Sequence, residues 1–121
     1  MRKILIVEDN TLNITIILEA LRDEYDVSVA LSAKEALELV AQELPELIIL
    51  DIVMEGMNGL ELCRRLKRDA TTRFIPIIFL TATYDLLKTE AYNAGADDFI
   101  AKPFRAKNLR SKIVSLLDCS I

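Results

Sequence analysis

The chain has 121 residues, of which 52% are hydrophobic and 28% charged, with only 3 Gly and 3 Pro. That length suits one domain with a real core, and the balance excludes intrinsic disorder and a disulfide-stapled scaffold. The formal net charge of -4 argues against a general nucleic-acid surface, and the complete lack of His removes catalytic triads, imidazole bases and His-ligated zinc.

Apolar runs and helical stripes alternate from end to end. Ile4-Leu5-Ile6-Val7 reads as a buried strand, followed by a helical stripe at Ile14, Ile17, Leu18 and Leu21. Val27 and Val29 alternate with polar residues, as in a strand with one exposed face, and Ala33, Ala36, Leu37 and Val40 return to helical spacing. Leu47-Ile48-Ile49-Leu50 is the next apolar strand, and Gly59, Leu62, Cys63 and Leu66 stripe the helix after it. Ile77-Ile78-Phe79-Leu80 follows, then a weakly striped helix over about 85–94 with Leu87, Ala91 and Ala94 on its apolar side. Phe99-Ile100-Ala101 makes the last strand, and Leu109, Ile113, Leu116 and Leu117 stripe the closing helix.

Five strand–helix units predict an α/β fold built on a single doubly wound five-stranded parallel sheet, order 2-1-3-4-5, with helices on both faces. The strand around Val27 then lies at an edge, which accounts for its alternation. Residues 1–121 are expected to form one domain. No segment approaches the roughly 20 apolar residues that span a bilayer, and the apolar run after Lys3 is too short for a signal-peptide core. Cys63 and Cys119 lack metal-ligand spacing and read as two reduced thiols. The expected location is cytoplasmic, with no membrane partner.

In open α/β sheets, ligands bind beyond the carboxyl ends of the strands. The residues just past the apolar runs are Glu8-Asp9, Asp51, Thr81 and Lys102. Singly, each has an ordinary explanation: a helix cap for Asp9 or Asp51, a strand hydroxyl for Thr81, a solvated amine for Lys102. Together they place three acids, a hydroxyl and an amine at one end of one sheet. Neighbouring carboxylates repel unless a cation neutralises them, and an all-oxygen set without His or Cys selects a hard ion, Mg²⁺ fitting best. A carboxylate beside Mg²⁺, an amine and a hydroxyl suits phosphoryl transfer, where positioning and charge neutralisation carry the chemistry. In that arrangement Lys102 and the Thr81 hydroxyl each meet a phosphoryl oxygen, and the ionised Asp51 attacks without needing a base.

From end to end the sequence resembles the response-regulator receiver domains of two-component signalling. The resemblance rests on Ile4-Leu5-Ile6-Val7-Glu8-Asp9-Asn10, on Leu50-Asp51-Ile52-Val53-Met54 followed by Gly56-Met57-Asn58-Gly59, on Leu80-Thr81-Ala82, and on Gly95-Ala96-Asp97-Asp98-Phe99-Ile100-Ala101-Lys102-Pro103-Phe104. It implies a flavodoxin-like fold and a phosphoacceptor role for Asp51, rather than a turnover enzyme. The implied donor is a phosphohistidine on a sensor histidine kinase or histidine phosphotransfer domain, and the implied recipient of the signal an output domain or downstream protein. Asp9 would ligate Mg²⁺ directly, Glu8 through water, Asp51 itself and the Val53 backbone carbonyl completing the protein's ligands. Thr81, Ala82 and Lys102 would support the phosphoryl group, Thr81 and Phe99 would form the switch pair, and the Lys102-Pro103 peptide would be cis. Two positions depart from the family's habit: Glu55 stands where Pro is common, and Phe99 where Tyr is also common. Neither removes a catalytic group.

Two rivals share parts of the pattern. Aspartyl-nucleophile phosphatases of the haloacid-dehalogenase type place an Asp-x-Asp on the first strand, whereas here the first strand ends Glu8-Asp9-Asn10 and the candidate nucleophile follows the third. A flavin or nucleotide carrier on the same fold needs a Gly-, Ser- or Thr-rich phosphate loop there, and Glu8-Asp9 would repel a phosphate. Lys88, Asp97, Asp98, Arg105 and Lys112 put both signs of charge on the side made by the fourth helix, fifth strand and fifth helix. That side is expected either to be a solvated face or to strengthen a homodimer or partner contact on phosphorylation.

Overall fold

Each apolar run becomes a strand and each helical stripe a helix. A computed structural model describes residues 1–52, 58–81 and 84–118, residues 84–88 by backbone alone. The chain runs β1 (Lys3–Val7), α1 (Thr11–Leu21), β2 (Asp26–Ala30), α2 (Ala33–Gln42), β3 (Leu47–Asp51), α3 (Gly59–Arg68), β4 (Ile77–Thr81), α4 (Tyr84–Asn93), β5 (Asp98–Ala101) and α5 (Ala106–Asp118). The five strands are parallel throughout and lie in the order β2-β1-β3-β4-β5. This is the doubly wound sheet expected from the alternation. The edge strand β2 is the one that keeps exposed residues, whereas β3 and β4 are buried along their whole length.

Strand side chains alternate between faces, so the sheet divides the core in two. Ile4, Ile6, Leu47, Ile49, Ile78, Leu80 and Ile100 pack with α1 and α5, through Ile17, Leu21, Leu109, Ile113 and Leu117. Leu5, Val7, Ile48, Leu50, Ile77, Phe79 and Phe99 pack with α2, α3 and α4, through Ala36, Val40, Leu62, Cys63, Leu66, Ala91 and Ala94. Burying each such aliphatic side chain contributes about 1.5–3 kcal/mol before ordering costs are set against it. The central strands therefore hold the carboxyl edge of the sheet firmly. Among the described side chains, α4 contributes Ala91, with Ala94 just past its end; the side chains of residues 84–88, Leu87 among them, lie outside the described residues.

Caps place the helices against that edge. The Asn10 side chain accepts from the Asn13 backbone N–H at 3.1 Å and starts α1 immediately after the acidic pair. Ser32 caps α2 in the same way, and Asn58 caps α3 by accepting from the Leu60 N–H at 2.7 Å. Gly59 then donates to the Ile52 carbonyl at 2.9 Å. A β-carbon on Gly59 would lie 2.3 Å from the Asp51 carbonyl oxygen and 2.8 Å from the Ile52 α-carbon, so only hydrogen fits between α3 and the end of β3. Both blocking atoms are backbone and cannot swing aside. Gly59→Ala is therefore expected to lower stability by about 1–3 kcal/mol despite alanine's better helix propensity. Chemical denaturation of the two proteins measures it; equal midpoints would show that the contact is not tight.

Candidate functional site

The strand alternation, carried one residue past the strand ends, sorts the chemistry-bearing residues into two sets. Glu8 continues Ile4 and Ile6, Asp51 continues Leu47 and Ile49, and Lys102 continues Ile100, all on the α1/α5 side. Thr81 continues Ile77 and Phe79 on the other side, with Phe99 paired directly across from Phe79. The ladder holds these positions, since Glu8 N–H donates to the Ala30 carbonyl at 3.0 Å and Lys102 N–H to the Thr81 carbonyl at 2.7 Å.

In the first set, the Lys102 amine lies 3.1 Å from an Asp51 carboxylate oxygen and 3.4 Å from Glu8 Oε2. Glu8, Asp9 and Asp51 each offer a carboxylate oxygen, and the three atoms lie within 4.8 Å of one another. Glu8 and Asp51 are buried, while Asp9 faces solvent. Glu8 Oε1 accepts from the Asn10 N–H at 3.1 Å, whereas Oε2 is buried without a hydrogen bond. Burial, reinforced by the hydrogen bond and charge of Asp51, pushes the Glu8 carboxyl up to about 7; the Asn10 N–H and Lys102 pull against it. One lysine facing three carboxylates leaves net negative charge, and the buried Glu8 Oε2 has the Lys102 amine at 3.4 Å but no hydrogen bond of good geometry. An oxygen-selective divalent cation answers both, so the donor set fits Mg²⁺.

In the second set, Thr81 and Phe99 are both buried. The Phe99 ring meets Tyr92 of α4 edge-on, with centroids 5.4 Å apart and planes at 86°. Tyr92 is half-exposed, so this stack joins the inner face of β5 to the protein surface. The sequence offered no sign of this contact, because Tyr92 lies off the apolar side of its helix. The Lys102–Pro103 peptide is cis. Val53 and Ala82 lie outside the described residues.

The charges beside this region are arranged differently from the expectation. Lys112 of α5 grips Asp98 at 3.0 Å from both carboxylate oxygens. Asp97 does not belong to that surface: its Oδ2 accepts from Lys67 of α3 at 3.0 Å and from the Ile77 N–H at 2.9 Å. It clamps α3 to β4, and proximity in sequence to Asp98 concealed that. The Lys88 side chain lies outside the described residues.

The family model described as the response regulator receiver domain matches residues 4–114. The chain belongs to that family. Histidine kinase P4 of Formosa agariphila is 41% identical over 116 residues, covering 95% of this chain and 8% of that protein. Response regulator PleD of Caulobacter vibrioides is 38% identical over 116 residues, covering 94% of this chain and 26% of that protein. The chain thus spans a small part of the length of these relatives. Among solved structures, a response regulator described as putative from Chloroflexus aurantiacus superposes with a TM-score of 0.93 at 34% identity, over 97% of this chain and 98% of that one. The receiver domain of sensor histidine kinase PA1611 from Pseudomonas aeruginosa, solved with a magnesium ion in its active-site cleft, superposes with a TM-score of 0.90 at 28% identity, over 97% and 98%. This receiver domain therefore works in two-component signalling. Among its described residues, no helix is long and apolar enough to cross a membrane.

The elevated Glu8 carboxyl has a consequence for stability. The folded chain holds that proton more tightly than the unfolded chain, where the group titrates near its ordinary 4.5. Its contribution is complete below that value and is lost as pH rises through about 7. In EDTA, wild type should lose stability between pH 5 and 7.5 relative to Glu8→Gln, read from parallel denaturation curves. Curves that stay parallel across that range would contradict the assignment.

Proposed function

We propose that residues 1–121 act as a phosphoacceptor switch in which Asp51 takes a phosphoryl group from a phosphohistidine. The donor would be a sensor histidine kinase or histidine phosphotransfer domain, in the cytoplasm. The observation that carries this reading is the Lys102 amine, 3.1 Å from Asp51 and 3.4 Å from Glu8 at the edge of a three-carboxylate cluster. The family match and the magnesium ion in the PA1611 receiver support it.

Glu8, Asp9, Asp51 and the Val53 carbonyl would hold Mg²⁺, with Asp9 direct and Glu8 through water. When bound, the ion supplies positive charge against the phosphoryl oxygens. The remaining work belongs to the chain. An ionised Asp51 oxygen attacks phosphorus as the bond to the donor imidazole nitrogen breaks, so no base is required. Lys102 neutralises one phosphoryl oxygen, and Thr81 donates its hydroxyl to another, with Ala82 leaving room beside it. As Thr81 moves, Phe99 takes up the space left on the same side of the sheet, and the Tyr92 stack carries the change to α4. Two states of this kind need differ by only a few kcal/mol, within reach of one charge-assisted hydrogen bond and a ring repacking. The α4–β5–α5 surface then controls an output domain or partner, or strengthens a homodimer.

Acetyl phosphate with Mg²⁺ should add one base-labile acyl phosphate per chain, and Asp51→Asn should abolish it. Stoichiometric labelling of Asp51→Asn would show that the acceptor is another residue. Thr81→Ala should still be phosphorylated, yet a beryllofluoride mimic should no longer shift the NMR signals of Phe99 and α4. Full wild-type shifts in Thr81→Ala would break the coupling.

A further inference from the structure

At the amino edge of the sheet, opposite the carboxylate cluster, three parts of the chain meet on one lysine. Lys67, in the last turn of α3, donates to the Ile75 carbonyl at 2.7 Å, the Arg73 carbonyl at 3.3 Å and Asp97 Oδ2 at 3.0 Å. An ammonium carries three protons, so all three are used. Asp97 is fixed in turn: its Oδ2 accepts from the Ile77 N–H at 2.9 Å, and its own N–H donates to the Ile77 carbonyl at 2.9 Å. The amine thereby ties α3 to the approach to β4 and to the turn that leads from α4 into β5.

That turn closes α4 on a glycine. The Gly95 N–H donates to the Tyr92 carbonyl at 3.0 Å and the Ala96 N–H to the Ala91 carbonyl at 3.1 Å, the paired bonds of a Schellman end, with Gly95 at φ 106°. A β-carbon on Gly95 would meet the Lys67 γ-carbon at 2.7 Å, so the lysine stem lies against the glycine. One helical turn earlier on the same face of α3, the Cys63 thiol donates to the Ala94 carbonyl at 3.4 Å. Two residues of α3 thus grip Ala94, Gly95 and Asp97. α3 is itself anchored at both ends, by the Gly59 N–H on the Ile52 carbonyl and by the Thr72 hydroxyl on the Leu66 carbonyl at 2.5 Å.

We propose that Lys67 pins the C-terminal end of α4 to α3, so that phosphorylation tilts α4 about Gly95 instead of sliding the whole helix. The signal in this inference rests on the phosphoacceptor reading; the pin rests on the α3 contacts alone. A slide would carry Ala94 off the Cys63 thiol and Gly95 off the lysine stem, and would pull Asp97 from Lys67. A tilt keeps those contacts and asks only for small φ and ψ changes at the turn, which a glycine absorbs most readily. Tyr92, stacked on Phe99, stands three residues before Gly95. At about 1.5 Å of rise per residue, a push at Tyr92 acts about 4.5 Å from the pivot, whereas Tyr84 lies about 16 Å away. A small ring displacement is therefore amplified more than threefold at the start of α4. Lys67 is a positioning residue here, acting through the turn and not on Asp51.

The test compares full-length wild type, Lys67→Met and Asp97→Asn, with Lys112→Met as a control that cuts the Asp98 pair instead. Without ligand, amide hydrogen exchange at Ala96 and Asp97 should quicken about tenfold in Lys67→Met, beyond any change in global stability read by denaturation. Asp97→Asn keeps an acceptor for the Ile77 N–H and should show a smaller effect; Lys112→Met should show none. With the beryllofluoride mimic, residual dipolar couplings should show α4 reoriented against α3 in wild type, with Ala96 and Asp97 still protected. In Lys67→Met the mimic should reorient α4 less and should lower that protection further. An unchanged α4 orientation in mimic-bound wild type, or equal protection of Ala96 and Asp97 in Lys67→Met and wild type, would overturn the proposal. A chain that does not bind the mimic would overturn the phosphoacceptor reading instead, and the exchange comparison would still decide whether Lys67 pins the turn.

Discussion

The placement of one lysine among three carboxylates governs the carboxyl edge of this sheet. Lys102 reaches Asp51 at 3.1 Å and Glu8 at 3.4 Å, and both acids are buried. Breaking a dry ion pair costs about 3–5 kcal/mol, a figure reduced here because the Lys102 side chain is 19% exposed. Even so, the lysine cannot balance the cluster alone. Glu8 shows the shortfall most clearly, with a buried oxygen that has no hydrogen bond and a carboxyl raised to about 7. The apolar interior of the sheet holds these groups together against their own repulsion. In that sense the strands store an electrostatic demand that a hard divalent ion can meet.

The same sheet separates that demand from its readout. Alternation along parallel strands sends Glu8, Asp51 and Lys102 to the α1/α5 side, and Thr81 and Phe99 to the α4 side. Thr81 is thus the natural go-between. It ends the strand next to β3, whose last residue is Asp51, and shares its face with the aromatic of β5. Tyr92 extends that face to the surface of α4. By contrast α3 is fastened by Leu62, Cys63 and Leu66 and by the Lys67–Asp97 clamp.

The strands and the acids behind them were legible in the sequence for a physical reason. Buried parallel strands must be apolar on both faces, so the first polar residue marks the carboxyl end, where ligands bind. Glu8, Asp51, Thr81 and Lys102 stand at those transitions. Other features depend on contacts between distant elements, and no local pattern reports them. Asp97 and Asp98 are neighbours in the chain yet serve α3 and α5 respectively. Glu8 and Asp9 look equivalent as an acidic pair, but strand alternation buries the first and exposes the second. Gly59 read as part of a helical stripe, whereas its defining contact is the backbone of Asp51.

The function of this edge depends on the three-carboxylate cluster being a cation site. The direct measurement is unfolding free energy against Mg²⁺ concentration at pH 7.5, for wild type and Asp9→Ala. A single site on the folded state predicts that wild-type stability rises logarithmically once Mg²⁺ exceeds its dissociation constant. Asp9→Ala, with an exposed ligand removed and the buried core intact, should need far more Mg²⁺ for the same gain. A wild-type curve that stays flat, or one that Asp9→Ala reproduces, would contradict the account.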